Sequence, residues 1–101
     1  MNIIDESVTN EFKVRIKLDG TYEDSNIRDI LNRSTAVLLR QVGTGYTIEE
    51  HPEFKELVFE RSRYVYNDAT EFFNDNFQSQ ITLLQMLNPT ITVEDETTTN
   101  A

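Results

Sequence analysis

Cysteine and tryptophan are absent, and histidine occurs once, at His51. Without cysteine there is no disulfide framework, no thiolate nucleophile and no zinc–cysteine site. With a single histidine, His-based metal clusters and His–His acid/base pairs are excluded as well. Glycine occurs three times and proline twice, so chain breakers are few and their positions carry information. The longest unbroken apolar run is Ala36-Val37-Leu38-Leu39, far below the ~20 residues needed to cross a bilayer. Met1–Glu6 is acidic and offers neither a basic n-region nor an apolar h-region, so no signal peptide is visible and a cytosol is the default compartment. No positive side chain follows Arg63.

What is present fits one small domain. The chain has 101 residues, 38% apolar and 27% charged, ordinary values for a globular protein. A chain of this length buries about 60–70% of its unfolded surface, enough for a thin core. Eighteen acids against nine bases leave a net charge of −9. The second half is the more acidic: residues 52–101 hold nine acids and three bases. Such a surface repels phosphate backbones and anionic lipid, which need clustered Lys and Arg. Direct nucleic-acid or membrane binding is therefore not expected. A basic protein partner, or a place beside DNA without binding it, remains open.

Apolar spacing is mostly helical. Val8, Phe12 and Ile16 recur every four residues behind Asp5 and Glu6, and Gly20 is placed to close that helix. Val14–Leu18 also alternates, so a strand competes there. Ser25 is a candidate cap for a second helix of about 17 residues, whose stripe runs Ile27, Ile30, Leu31, Val37, Leu38 and Val42 and which Gly43 ends. Pro52 opens a third, with Glu53 and Glu56 near its positive end. Its stripe runs through Phe54, Leu57, Val58, Val65, Phe72 and Phe73 to Phe77, Ile81 and Leu84, with no breaker before Pro89. A continuous helix over 52–87 would reach about 54 Å, against a radius of gyration of about 13 Å for a compact domain of this size. It must bend or project, and Asn74-Asp75-Asn76 is the natural bend, which would make residues 77–87 a separate fourth helix. The fold class predicted is all-α: a small bundle of three or four helices, one of them long, over residues 1–88. Residues 89–101, Thr-rich and acidic, form an extended tail with no core of their own.

Catalytic readings find little support. His51 precedes Pro52 and has no companion nucleophile motif, so a capping or surface role explains it better than a general base. Asp24 with Asp29, and Glu49 with Glu50, can be read as paired carboxylates, but helix-start acids account for most of them. Gly43-Thr44-Gly45-Tyr46 lacks the lysine and preceding strand of a phosphate-cradling loop and reads as a helix-to-helix turn. Tyr64, Tyr66, Phe72, Phe73 and Phe77 sit beside Asp68, Glu71 and Asp75 rather than in a basic groove, which favours core packing over base stacking. Arg61, between Val58 and Val65, must snorkel outward or pair with an acid such as Asp68. The chain is read as a non-enzyme without metal or cofactor.

The run Glu60-Arg61-Ser62-Arg63-Tyr64-Val65-Tyr66-Asn67-Asp68-Ala69, followed by Glu71-Phe72-Phe73-Asn74-Asp75-Asn76-Phe77, resembles the long helix of the small head–tail connector proteins of tailed bacteriophages, also called head completion or adaptor proteins. The helix Ile27–Val42 and its glycine turn fit the same layout, so the resemblance spans roughly residues 25–88. It implies a structural subunit of the virion, assembled in the host cytoplasm. Such subunits form a ring, usually twelvefold, beneath the portal protein. The ring extends the DNA channel and meets a stopper or tail-side protein. On that reading the candidate partner contacts are the turn Gly43, Thr44, Gly45 and Tyr46, and a C-terminal arm carrying Ile91, Val93, Glu94, Asp95 and Glu96. The arm's alternating apolar residues would seat on the portal, and its acids would face basic side chains there. The alternative is a small acidic inhibitor or DNA mimic that fills the basic groove of a nucleic-acid enzyme.

Overall fold

The computed structural model describes residues 3–88. Among them the chain is all-helical: α1 is Glu6–Ile16, α2 Asp24–Val42, α3 Pro52–Tyr66, α4 Phe73–Asn76 and α5 Gln78–Met86, with a 3-10 turn at Thr70–Phe72 before α4. α2 is the spine. It packs chiefly on α3, and α1 and α5 also lie against it.

α1 starts as its acids predict. Asp5 stands at the cap and its carboxylate accepts the Val8 N–H at 2.9 Å, satisfying one of the four orphan donors of the first turn. Its end corrects the expectation of Gly20. The left-handed residue is Lys17, at φ 59°, with Leu18 N–H on the Lys13 carbonyl at 2.9 Å and Lys17 N–H on the Val14 carbonyl at 3.1 Å. This pair of bonds satisfies two orphan carbonyls and offsets the strain of a side chain in that conformation. The competing strand reading of Val14–Leu18 is set aside: Val14–Ile16 are helix, and Lys17 and Leu18 follow its end.

α2 runs from Asp24 to Val42, and Gly43 closes it at φ 98°. Ser25 is not its cap. Glu23 takes that position through its backbone, with Ile27 N–H on its carbonyl at 2.9 Å, which leaves Ser25 within the first turn.

The expected long helix is divided. α3 ends at Tyr66, and Asp68 takes a left-handed φ of 57°. Ala69 N–H reaches the Tyr64 carbonyl at 2.8 Å and Asp68 N–H the Val65 carbonyl at 3.0 Å, the same closing motif as at α1. Asn67 adds a side-chain bond to the Arg63 carbonyl at 2.9 Å. A second break falls at Phe77, between α4 and α5, next to the suspected Asn74–Asn76. The first break also rotates the apolar stripe. Phe73 is buried and stacks on Phe77 at 4.9 Å, whereas Phe72, expected in the core, is 56% exposed.

The core contains Phe12, Ile27, Leu31, Leu38, Val42, Tyr46, Ile48, Phe54, Leu57, Val58, Phe59, Phe73, Ile81 and Leu84. Each large apolar side chain there contributes roughly 1.5–3 kcal/mol by leaving water. Ile30 is buried as expected, while Val37 and Val65 are only half-buried. Polar ties join the helices. Lys13 is buried and pairs with Asp24 at 2.6 Å across α1 and α2. Arg15 binds Glu56 through two bonds, at 3.0 and 2.9 Å, and Glu60 at 2.7 Å. Arg15 and Lys55 both stand over the Phe59 ring, 5.2 and 5.6 Å from its centre, and Phe12 meets that ring edge-on at 5.5 Å. Arg61 does not pair with Asp68; it donates to Ser34 Oγ at 3.1 Å. The proposed arm at 89–101 lies outside the described residues.

Candidate interaction surface

α5 carries no charged residue, and none occurs between Asp75 and Glu94. Ile81 and Leu84, three apart, face inward and anchor it. Leu83, Met86 and Leu87 then point away from the core and are 50%, 74% and 63% exposed. They are neighbours on one short helix and form an apolar ridge rather than scattered surface residues. The ridge borders a cleft of about 440 Å³, walled by Leu57, Phe77, Leu83 and Leu84 and rimmed by Glu53 and Glu56 at the start of α3. A smaller hollow of about 190 Å³, which shares Glu53, Leu83 and Leu84 with that cleft, is completed by Tyr46, His51 and Leu87.

The loop from α2 to α3 supports this surface. Gly43 needs its positive φ, and a Cβ there would collide with the Asn88 side chain, which donates to the Val42 carbonyl. Thr44 and Gly45 form the exposed tip. Tyr46 turns inward: it is 4% exposed, stacks on Phe54 at 5.5 Å and donates its hydroxyl to the Leu84 carbonyl at 2.7 Å. The predicted turn therefore borders the apolar ridge, with its tyrosine as an internal tie. Gly45 and Tyr46 also edge a hollow of about 590 Å³ against α2, beside Thr35 and Leu39. Ile91, Val93, Glu94, Asp95 and Glu96 lie outside the described residues.

Burial raises the Tyr46 hydroxyl above the usual tyrosine range, and the charge of Glu53 adds to this. The hydrogen bonds from Arg15 hold Glu56 below the usual carboxylate range against its partial burial. His51 stands at the α3 cap, where its Nδ1 accepts the Thr47 N–H at 2.9 Å and its ring meets Tyr46 edge-on at 5.1 Å. It closes a turn. The Asp24/Asp29 pair separates: Asp24 goes to Lys13 and Asp29 to Arg33 at 2.8 Å. Among the described residues no group of three His, Asp or Glu side chains is placed to hold a metal ion. No described helix is long and apolar enough to cross a membrane.

The α5 ridge escaped the sequence reading because that reading followed only the inward stripe through Ile81 and Leu84 and passed over Leu83 and Met86. The uncharged stretch after Asp75 was the signal available. No family model matches the chain, and neither a curated protein nor a solved structure shows significant similarity to it.

Proposed function

We propose that the chain is a structural interaction subunit: a head–tail connector of a tailed phage that assembles as a ring beneath the portal, extends the DNA channel and receives a stopper or tail-side protein. The observation that carries the reading is the uncharged ridge of Leu83, Met86 and Leu87 beside an apolar cleft. A small subunit gains by burying such a ridge against a neighbour. The resemblance over residues 25–88 names the setting. In it, a body of α2 and α3 carries the exposed tip Thr44–Gly45, and residues 89–101 serve as an arm. The net charge of −9 suits a channel wall that does not hold DNA, and it opposes self-association of free subunits at low salt.

The inhibitor or DNA-mimic reading is weaker. Glu11, Asp24, Asp29, Glu56 and Glu60 are each engaged by a cation, whereas a phosphate mimic presents acids in unpaired rows. Light scattering separates the two. A connector subunit is a monomer or weak associate alone and becomes a ring on portal-bearing particles. A stable small dimer, indifferent to added portal, overturns the connector reading.

A further inference from the structure

The cations of this acidic chain are unevenly satisfied. Lys13, Arg15, Lys55 and Arg63 each meet a carboxylate at 2.6–2.9 Å. A different situation holds where α2 faces α3. Arg33, Val37 and Arg40 share one face of α2. Opposite them, Arg61 reaches Ser34 from α3. Between the helices lies a depression of about 280 Å³ with Ile30, Val37 and Val65 as aliphatic walls, Arg33 and Arg61 as cations and Thr70 at its edge. Among the described residues Arg33 pairs with Asp29 alone, and the side chains of that pair are 65% and 59% exposed, a geometry that contributes little. Among the described residues neither Arg40 nor Arg61 forms an ion pair. The Arg61 guanidinium is held below its ordinary pKa by burial first, then by the charges of Arg33 and Arg40. Among the described residues this half-buried cation beside two like charges has no counter-charge.

We propose that the Arg33–Arg40–Arg61 face is a carboxylate-binding site whose ligand is this chain's own segment Ile91–Glu96. Charge and shape both match: Glu94-Asp95-Glu96 supplies three consecutive carboxylates, and Ile91 and Val93 supply aliphatic groups for a depression with aliphatic walls. Reach also matches. Asn88 is fastened to the Val42 carbonyl and so sits at the C-terminal end of α2. At 1.5 Å per residue, Arg40 lies about 3 Å and Arg33 about 14 Å back along the α2 axis. The six residues from 89 to 94 can extend over about 20 Å. Tethering raises the local concentration of the acids to the millimolar range, so weak individual bonds suffice. The docking needs one subunit only and holds or fails independently of any ring.

The absence of cysteine makes the test direct. In the full chain, Thr98→Cys carries a single nitroxide, and amide signals report which residues it approaches. Signals at 33–40 and 61–65 should broaden several-fold more than those of α1. The effect should fade at about 0.5 M salt and vanish when Glu94→Gln, Asp95→Asn and Glu96→Gln are combined, changes that leave the helical core untouched. Arg61→Gln, with α1 signals unchanged as a control for folding, should reduce it similarly. Absence of selective broadening, or broadening that survives neutralisation of the acids, overturns the proposal. So does broadening confined to mixtures of isotope-labelled and nitroxide-bearing chains, which assigns the site to a second copy. If the arm stays away while added polyglutamate shifts the Arg61 side-chain signal, the site belongs to an acidic partner and the proposal fails.

Discussion

The Tyr46 hydroxyl donates to the Leu84 carbonyl at 2.7 Å, joining the loop after α2 to α5 across 38 positions of sequence. The bond is buried, so removing the donor leaves a carbonyl with less solvation than it had in water. Tyr46→Phe keeps the stacking on Phe54 and should cost about 1–2 kcal/mol, a fall in Tm of roughly 4–16 °C for a domain this small. Alkaline pH tests the same group. Its pKa is raised in the folded state, so the folded protein retains a proton that the unfolded chain releases above about pH 10. The stabilisation is complete below that pH and declines as pH climbs toward the folded value. Denaturant midpoints should therefore fall above pH 10 in the parent and less steeply in Tyr46→Phe; parallel curves would refute the assignment.

Acid acts where α1 meets α3. Glu56 is held below its ordinary value by the Arg15 hydrogen bonds. The stabilisation it contributes is present above the unfolded carboxylate value of about 4.3 and is lost as pH falls through the lower folded value. Between pH 5 and 3, Glu56→Gln should show a shallower loss of Tm than the parent. Because Glu56 is more than half exposed, salt should shrink the difference.

Ser62 is fully buried on α3, and among the described residues its hydroxyl has no hydrogen-bond partner. Ser62→Ala removes an unsatisfied polar atom and almost no volume, so stability should hold or rise by up to about 1 kcal/mol. Leu38→Ala, also fully buried, should instead cost about 2–5 kcal/mol through the cavity it leaves. A loss above 1 kcal/mol for Ser62→Ala in urea unfolding would mean that the hydroxyl has a partner.

The extent to which these features were legible follows from which forces leave a mark in sequence. α2 was legible because Ile27, Ile30, Leu31, Leu38 and Val42 repeat on one side and Gly43 is an overt stop. The ends of α1 and α3 were not. Lys17 and Asp68 take left-handed conformations without glycine, and tertiary packing plus two backbone bonds at each site outweigh that modest cost. Once the break at Asn67–Ala69 was missed, the phase beyond it was wrong, and Phe72 was put inside with Phe73. The burial of Lys13 was not legible, because its partner Asp24 is eleven residues away, a distance at which helical periodicity carries no information. The turn Gly43–Tyr46 was found by its glycines, but the inward role of Tyr46 depends on how α5 packs against the loop, which apolar spacing along the chain does not show.

The α5 ridge gives the sharpest test of an association role. Leu83 and Met86 are 50% and 74% exposed, so replacing each with Glu removes little core packing and should change Tm by only about 0.5 kcal/mol in equivalent stability. Any surface that buries these side chains against a partner must then desolvate a carboxylate, a change large enough to weaken binding by tenfold or more per site. Leu83→Glu and Met86→Glu should therefore melt like the parent yet fail to sediment with portal-bearing particles. The added negative charge is itself a confounder in a chain at −9. Val14, 77% exposed on α1, provides the control: Val14→Glu adds the same charge elsewhere and should bind normally. If all three variants lose binding together, bulk charge is responsible and the ridge is not the interface. If Leu83→Glu and Met86→Glu bind as the parent does, the ridge has no part in assembly, and the search moves to the exposed tip Thr44–Gly45.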